Sequence, residues 1–256
     1  MNACVIYFSQ TGNTEKVARQ IVAGLRSQNA SVDFVTWKEA KTADLARYDL
    51  IGIGTPVFYY REPVVIQRLL GSMPKLTGKF GFLFITHGGN PVNTFLRMQK
   101  ALAKKDVAVI GAFECFGFDT YPAYIGTDRQ IGHPDEKELA RAEAFGRELL
   151  LRYESALGES RNVIPKFKKE HGKYNRLSIL LSGPALKWIS PKKNLDRTRC
   201  TRCGECLRRC PTDAIEMNPY PVFNDRCIYC YLCERICPEK AIVCDWSKIK
   251  KWLGVT

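Results

Sequence analysis

The sequence predicts an α/β domain with a doubly wound, five-stranded parallel sheet, followed by a smaller domain of a different kind. Three observations carry this. Through residue 155, short apolar runs alternate with stretches of helical period. After residue 199 cysteine takes over: nine of the eleven cysteines lie between Cys200 and Cys244. Charge divides the same way, since +10 of the formal net charge of +13 falls in residues 156–256 and +8 of that in residues 156–199. At roughly 150 residues per domain, the 256 residues suffice for one large domain or two small ones.

Taken in order, residues 2–8 read as a short apolar strand. Ser9, Gln10, Thr11, Gly12, Asn13 and Thr14 form a polar turn, and Val17, Ala18, Ile21, Val22 and Leu25 then recur at helical spacing. Further strands are expected at residues 31–37, 50–54, 80–86 and 107–113, with helices near 63–71, 93–103 and 135–153. Such alternation implies a parallel sheet with helices on both faces. Ligands of these sheets sit beyond the carboxyl ends of the strands, at a switch point. Three loops should meet there: the polar turn 9–14, then Thr55, Pro56, Val57, Phe58, Tyr59 and Tyr60, then His87, Gly88, Gly89 and Asn90.

Apolar residues make up 45% and charged residues 25%. These ordinary proportions exclude wholesale disorder and collagen-like structure. No apolar run reaches the about 18 residues of a membrane span. The start, MNACVIYFSQ, has no basic segment and no small-residue cleavage site, so a signal peptide is not expected and a cytoplasmic protein is.

A strand, a hydroxyl- and glycine-rich turn and a helix make an anion site, because free N–H groups and the helix dipole face the ligand. The turn lacks the G-K-[ST] of a triphosphate loop and the G-x-G-x-x-G of a dinucleotide site. The wider pattern, with Val5, Ile6, Tyr7, Ser9, Gly12, Thr14, Ala18 and Ile21, resembles the phosphate loop of flavodoxins. That resemblance implies FMN, its phosphate held by residues 9–14 without a basic side chain. It also implies that the loop Thr55–Tyr60 lines the isoalloxazine ring. At least one of Phe58, Tyr59 and Tyr60 is expected against the ring; which one, and whether another packs in the core, stays open. Gly88 and Gly89 would let backbone approach the ring. His87 is a candidate proton donor near flavin N1 or N5, or simply a hydrogen-bonded neighbour. The loop 117–133 is long for its place; it holds Tyr121, Pro122 and Tyr124, and is either a cover for the substrate side of the flavin or an insertion.

The cysteines form two runs: Cys200, Cys203, Cys206, Cys210 before Pro211, and Cys227, Cys230, Cys233, Cys237 before Pro238. Dense cysteine in a cytosolic chain argues for metal or redox chemistry. Zinc needs only two CxxC pairs, and two complete C-x2-C-x2-C-x3-C-P runs exceed that. Each is similar to the bacterial ferredoxin run for a [4Fe–4S] cluster. Three cysteines at two-residue gaps curl around one corner of a cubane, and the fourth ligand comes from elsewhere. The resemblance implies that the runs cross: one cluster takes Cys200, Cys203, Cys206 and Cys237, the other Cys227, Cys230, Cys233 and Cys210. Cys210-Pro-x-x-Ala214-Ile215 repeats as Cys237-Pro-x-x-Ala241-Ile242, as expected for two similar halves. Cys4, Cys115 and Cys244 read as buried thiols.

The whole chain resembles a flavodoxin–ferredoxin fusion, a family common in anaerobes. The domains are expected at 1–155 (flavodoxin-like, binding FMN), 156–194 (a basic connector), 195–245 (a small α+β ferredoxin domain with two [4Fe–4S] clusters) and 246–256 (a tail). Within the connector, the apolar stretch 177–190 is too short to span a membrane. It is expected as a docking helix between domains, or as a membrane-surface helix. The implied function is electron transfer between FMN, which exchanges one or two electrons, and two one-electron clusters. The alternative is an FMN-dependent reductase of a small molecule, fed through the ferredoxin domain. No catalytic dyad is visible, which favours the carrier. Arg202, Arg208, Arg209, Arg226 and Arg235, in or beside the cluster runs, suit raised cluster potentials or an acidic docking face on a redox partner. No nucleic-acid motif accompanies the basic charge. The sequence leaves an oligomer open.

Overall fold

The computed structural model describes residues 1–127, 129–158, 164–181 and 184–255. They divide into two compact units: Met1–Phe118 with Gln130–Ile179, and Asp119–Arg129 with Leu180–Thr256.

In the first unit the chain runs β1 (Asn2–Tyr7), α1 (Asn13–Ser27), β2 (Ser31–Thr36), β3 (Leu50–Pro56), α2 (Val64–Ser72), β4 (Lys79–His87), α3 (Thr94–Ala103), β5 (Val107–Phe116) and α4 (Glu136–Leu157). The five strands are parallel, in the order β2-β1-β3-β4-β5. This is the doubly wound α/β sheet that the alternation predicts. The inner strands are apolar without interruption because helices cover both faces: Ala3, Cys4, Val5 and Ile6 are fully buried, as are Leu50, Ile51 and Ile53. The edge strand β5 ends differently. It runs to Phe116 instead of Phe113 because β4 pairs with it up to His87, and its last residues alternate between buried and exposed.

Helix α1 buries Val17, Ala18, Ile21, Val22 and Leu25 against the sheet. Its neighbour α4 comes unusually near. A Cβ on Gly24 would lie 2.1 Å from the Glu143 carbonyl oxygen, and one on Gly146 would lie 2.3 Å from that of Ile21. Glycine at both places lets the two backbones touch. Helix α4 starts in a capping box. The Asp135 carboxylate accepts from the Glu138 N–H (2.8 Å), and the Glu138 carboxylate accepts from the Asp135 N–H (2.9 Å). His133 Nδ1 lies 2.7 Å from the same Glu138 carboxylate.

Residues 164–179, expected as part of a connector, belong to the first unit. Asn93 holds them, donating to the Glu170 carbonyl (2.9 Å) and accepting from its N–H (2.8 Å). Phe95 stacks on Phe167 at 5.2 Å. The apolar stretch 177–190 is not one helix. α5 (Lys173–Leu180) ends within it and α6 (Pro184–Ile189) also lies in it, while Ser182 and Gly183 lie outside the described residues.

The second unit continues with β6 (Lys193–Leu195), α7 (Glu205–Arg208), β7 (Ile215–Met217), β8 (Pro221–Phe223), α8 (Leu232–Ile236), β9 (Ile242–Cys244) and α9 (Ser247–Leu253). Two antiparallel ribbons, β6–β9 and β7–β8, flank a core of Cys206, Ile215, Cys233 and Ile242. The segment Asp119–Arg129 belongs here, although it leaves the chain between β5 and α4. Its Tyr121 ring meets Trp246 edge-on at 5.1 Å and Tyr231 at 6.4 Å. Trp246 in turn donates its indole N–H to Glu234 at 3.1 Å. Among the described residues, no helix is long and apolar enough to cross a membrane.

Candidate functional site

The three loops of the first unit start at one end of the sheet. The β1–β3 register places Tyr7 opposite Gly54, and the β3–β4 register places Pro56 opposite Thr86. The Phe8 N–H then bonds the Gly54 carbonyl (2.9 Å) and the Val57 N–H bonds that of Thr86 (2.9 Å).

In the first loop, Gly12 enters α1 with φ +95°, a conformation that suits glycine. A Cβ there would meet nothing within 4 Å. No side chain caps α1, and an uncapped helix start of this kind favours negative charge. The Gly12 N–H donates to Ser9 Oγ (3.1 Å), and Asn13 Nδ2 donates to the Phe118 carbonyl (3.2 Å). Thr14 is buried; its hydroxyl shares a 2.8 Å hydrogen bond with Thr86 and ties the first loop to the end of β4.

The second loop is a tight hairpin. Phe58 and Arg61 exchange both backbone bonds, at 2.8 and 3.1 Å, around Tyr59 (φ +52°) and Tyr60 (φ +65°). Two successive left-handed residues make the hairpin turn that normally takes Asn-Gly. Holding tyrosines there costs about 1–3 kcal/mol each, and such strain concentrates at functional sites. Phe58 packs edge-on against the buried Phe8 at 5.9 Å, and Tyr60 lies on Tyr174 at 5.2 Å. A buried network secures the turn. Arg97 donates to the Tyr60 carbonyl (3.0 Å) and to Glu62 (2.9 Å), while Arg61 reaches Glu62 at 3.5 Å and the Ser178 carbonyl at 3.0 Å. Arg61, Glu62 and Arg97 were not singled out from sequence; only Glu62, a carboxylate between Arg61 and an apolar helix, gives any signal there.

In the third loop, His87 lies 4.0 Å from the Glu114 carboxylate and packs edge-on against Phe116 at 5.2 Å. Burial lowers its pKa below the ordinary 6.5, against opposing pulls from the Gly89 backbone and Glu138.

Two cavities of the second unit are lined by the cysteine runs. One encloses about 360 Å³, its open mouth included, and is lined by Cys200, Cys203, Cys206 and Cys237. The other encloses about 300 Å³ and is lined by Cys210, Cys227, Cys230 and Cys233. Each therefore gathers three cysteines of one run and the last cysteine of the other. Left-handed residues recur at matching places in the two runs: Arg202 with Tyr229, Gly204 with Tyr231, and Asp213 with Lys240. The half-repeat reappears as hydrogen bonds. The Ala214 N–H points to Cys210 Sγ (3.3 Å) and the Ala241 N–H to Cys237 Sγ (3.2 Å). Burial pushes the Cys230 thiol up to about 12 and raises Cys206 and Cys233 as well. None of the eleven cysteines forms a disulfide. Cys4, Cys115 and Cys244 line neither cavity; burial pushes each up to about 12, as inert thiols require.

A family model described as a flavodoxin domain matches residues 4–131, half of the chain. The chain belongs to the flavodoxin domain family. A second model, described as a 4Fe-4S dicluster domain, matches residues 192–238. The flavodoxin of Megasphaera elsdenii is 34% identical over 87 residues, which is 33% of this chain and 64% of that protein, so the chain spans less than two thirds of its curated relative. Among solved structures, a flavodoxin from the domain Archaea is 21% identical, covering 60% of this chain and 99% of its own, with a TM-score of 0.47. The two-electron reduced M. elsdenii flavodoxin is 26% identical, covering 56% of this chain and 98% of its own, with a TM-score of 0.42. This protein is thus a flavodoxin–ferredoxin fusion, an iron–sulfur flavoprotein whose cofactors are FMN and two [4Fe–4S] clusters.

The residues present fit both groups. For FMN, the uncapped α1 terminus behind Gly12 leaves room for a phosphate, and the strained Tyr59–Tyr60 turn offers aromatic surface. For the clusters, each cavity supplies four sulfur donors and N–H groups aimed at sulfur. Burial disfavours the thiolate at Cys206, Cys230 and Cys233, a cost that a bound metal would offset. Lys193, which sequence reading passed over, lies in the second cavity, its Nζ 3.3 Å from Cys227 Sγ.

Proposed function

We propose that this iron–sulfur flavoprotein carries electrons for a protein partner and couples two-electron to one-electron steps. Bound FMN supplies a centre that exchanges one or two electrons, and each cluster exchanges one. The observation that carries the reading is the pair of four-cysteine cavities, drawn crosswise from the two runs, on a chain with a flavodoxin domain.

In this reading Ser9, Gln10, Thr11, Gly12, Asn13 and Thr14 hold the FMN phosphate through backbone N–H groups and hydroxyls. The loop from Thr55 to Tyr60 lines the ring, with Tyr59 at the strained tip against it. His87, Gly88, Gly89 and Asn90 close the third side. The two cysteine sets hold one cluster each, and the apolar lining of Ile215, Ile228, Leu232 and Phe223 keeps water from one of them. Residues 1–155 then serve the flavin and 195–245 the clusters, while 164–179 brace the flavin turn through Tyr174 and Ser178. Exposed Arg197, Arg199, Arg202, Arg208 and Arg209 suit an acidic docking face on the partner.

The reductase alternative calls for a pocket over the ring, walled by Tyr59, Tyr121 or Tyr124; of these, Tyr121 packs on Trp246 and Tyr231. The test is an anaerobic reductive titration of protein with its flavin and iron quantified, followed by addition of NADH and NADPH. The carrier reading expects four electrons from dithionite and no bleaching by either nicotinamide. Uptake of only two electrons, or rapid bleaching by a nicotinamide, would refute it.

A further inference from the structure

We propose that Lys193 sets the reduction potential of the cluster held by Cys210, Cys227, Cys230 and Cys233 above the value burial alone would give, and so makes the two clusters unequal. This rests on the ligand sets proposed above.

The ammonium group of Lys193 is 3.3 Å from Cys227 Sγ. It is enclosed by the rings of Tyr229 and Tyr231, each at 4.8 Å, and Phe223 at 5.4 Å. A charge so enclosed is poorly screened by salt, and the ring faces favour it as a cation. The two halves are otherwise alike, which makes the difference readable. In one ribbon Leu195 pairs with Ile242 and Lys193 with Cys244. In the other Phe223 pairs with Ile215 and Pro221 with Met217. Matching Ile215 to Ile242 puts Pro221 where the other half has Lys193. Pro221 lines the first cavity and brings no charge to it.

The surroundings also differ in wetness. Cys203 of the first set is exposed where its counterpart Cys230 is half-buried, Cys206 and Cys233 are both buried, and Tyr231 in the second set is fully buried. Other cations are present on both sides. Arg202 and Arg208 near the first cavity are exposed, and Arg208 pairs with Glu205. Arg235, half-buried, lies near Cys230. One-electron reduction adds one negative charge to the site and makes or breaks no bond. In a dry site that charge is costly unless a cation stands beside it. Lys193 is that cation, donating directly to a ligand sulfur, a contact known to raise cluster potentials in general.

The test is a mediated redox titration of the anaerobically purified protein, poised with dithionite and read by electron paramagnetic resonance. It compares the natural chain with Lys193→Met, Lys193→Gln and Lys193→Arg, with iron counted in each. The signal lost in Cys203→Ser marks the first cluster. Expected is at least a tenfold fall in the reduction equilibrium of the second cluster in the Met and Gln variants, which is 59 mV for one electron. The first cluster shifts less than threefold, and Arg recovers at least half of the loss. The proposal is overturned if neither step moves by threefold, if both fall together, or if the step that moves is the first cluster's. It is overturned as well if Met and Gln both lose iron, which would make Lys193 an assembly residue. A single cluster step in a natural chain that carries the iron of both clusters would overturn the proposed inequality, whereas iron for only one cluster would refute the ligand sets themselves.

Discussion

Replacing Arg97 with alanine removes the main support of the Tyr59–Tyr60 turn and leaves a carboxylate stranded. Arg97 gives up hydrogen bonds to Glu62 (2.9 Å), the Tyr60 carbonyl (3.0 Å) and Thr94 Oγ1 (3.2 Å). Glu62 is only 4% exposed and keeps Arg61 alone, at 3.5 Å. Breaking a buried pair costs about 3–5 kcal/mol. With Arg61 still in place the lower end applies, about 3 kcal/mol, or about 6–12 °C in Tm for a domain of this size. Pairing Arg97→Met with Glu62→Leu removes both charges but takes the carboxylate from Arg61, which keeps the Ser178 carbonyl at 3.0 Å, so stability should return part of the way, by about 1 kcal/mol. Both variants still release the Tyr60 carbonyl. A hydrogen bond to a charged donor is worth about 1.5–3 kcal/mol, so FMN affinity should fall about ten- to hundredfold in each. Urea unfolding at fixed FMN concentration reads the stability, since bound flavin itself raises the apparent value. Flavin fluorescence reads the affinity. Equal stability losses in the single and double variants would refute the stranded-charge argument. Unchanged affinity in both would remove the turn from the flavin site.

Crossed ligation makes cysteines from different runs behave alike: Cys237→Ser should abolish the same paramagnetic signal as Cys203→Ser, and Cys210→Ser the same one as Cys230→Ser. Gly146→Ala places a methyl 2.3 Å from the Ile21 carbonyl and must push α1 and α4 apart by roughly 1 Å, which should cost about 1–3 kcal/mol in thermal unfolding. His87 has a folded-state pKa lowered by burial. The unfolded chain therefore takes up the proton first, and stability should fall as pH drops through about 6.5 toward the folded value. His87→Gln should flatten that decline in urea midpoints measured between about pH 5 and 7.5. Cys4, Cys115 and Cys244 should resist alkylation in the native protein at about pH 8 and react only after unfolding, as peptide mapping would reveal.

The sheet was legible because burial on both faces leaves uninterrupted apolar runs such as Ala3–Ile6. The cysteine runs were legible because cluster geometry dictates their spacing, and the structure gathers the same two sets of four into its cavities. What escaped depends on contacts between residues remote in sequence. Lys193 looks like any lysine in a basic stretch until the ribbon register brings it to Cys227, 34 positions away. Arg97 acquires meaning only through Glu62 and the Tyr60 carbonyl. The stretch 177–190 read as one helix because composition alone does not mark where a helix ends. Its helices α5 and α6 are separate elements, and Ser178 is buried within the first unit's hydrogen-bond network.

The segment Asp119–Arg129 has a consequence for inheritance. The peptide passes from one unit to the other three times, after Phe118, after Arg129 and after Ile179. Two ancestral genes joined end to end would make that passage once. A recombination event that exchanged everything after residue 180 would bring in a foreign ferredoxin half still facing the old Tyr121, with no guarantee of a matching Trp246 and Tyr231. The two halves should therefore be inherited as a matched pair, and chimaeras between distant relatives should keep their clusters only when this short interior stretch travels with the carboxyl-terminal part.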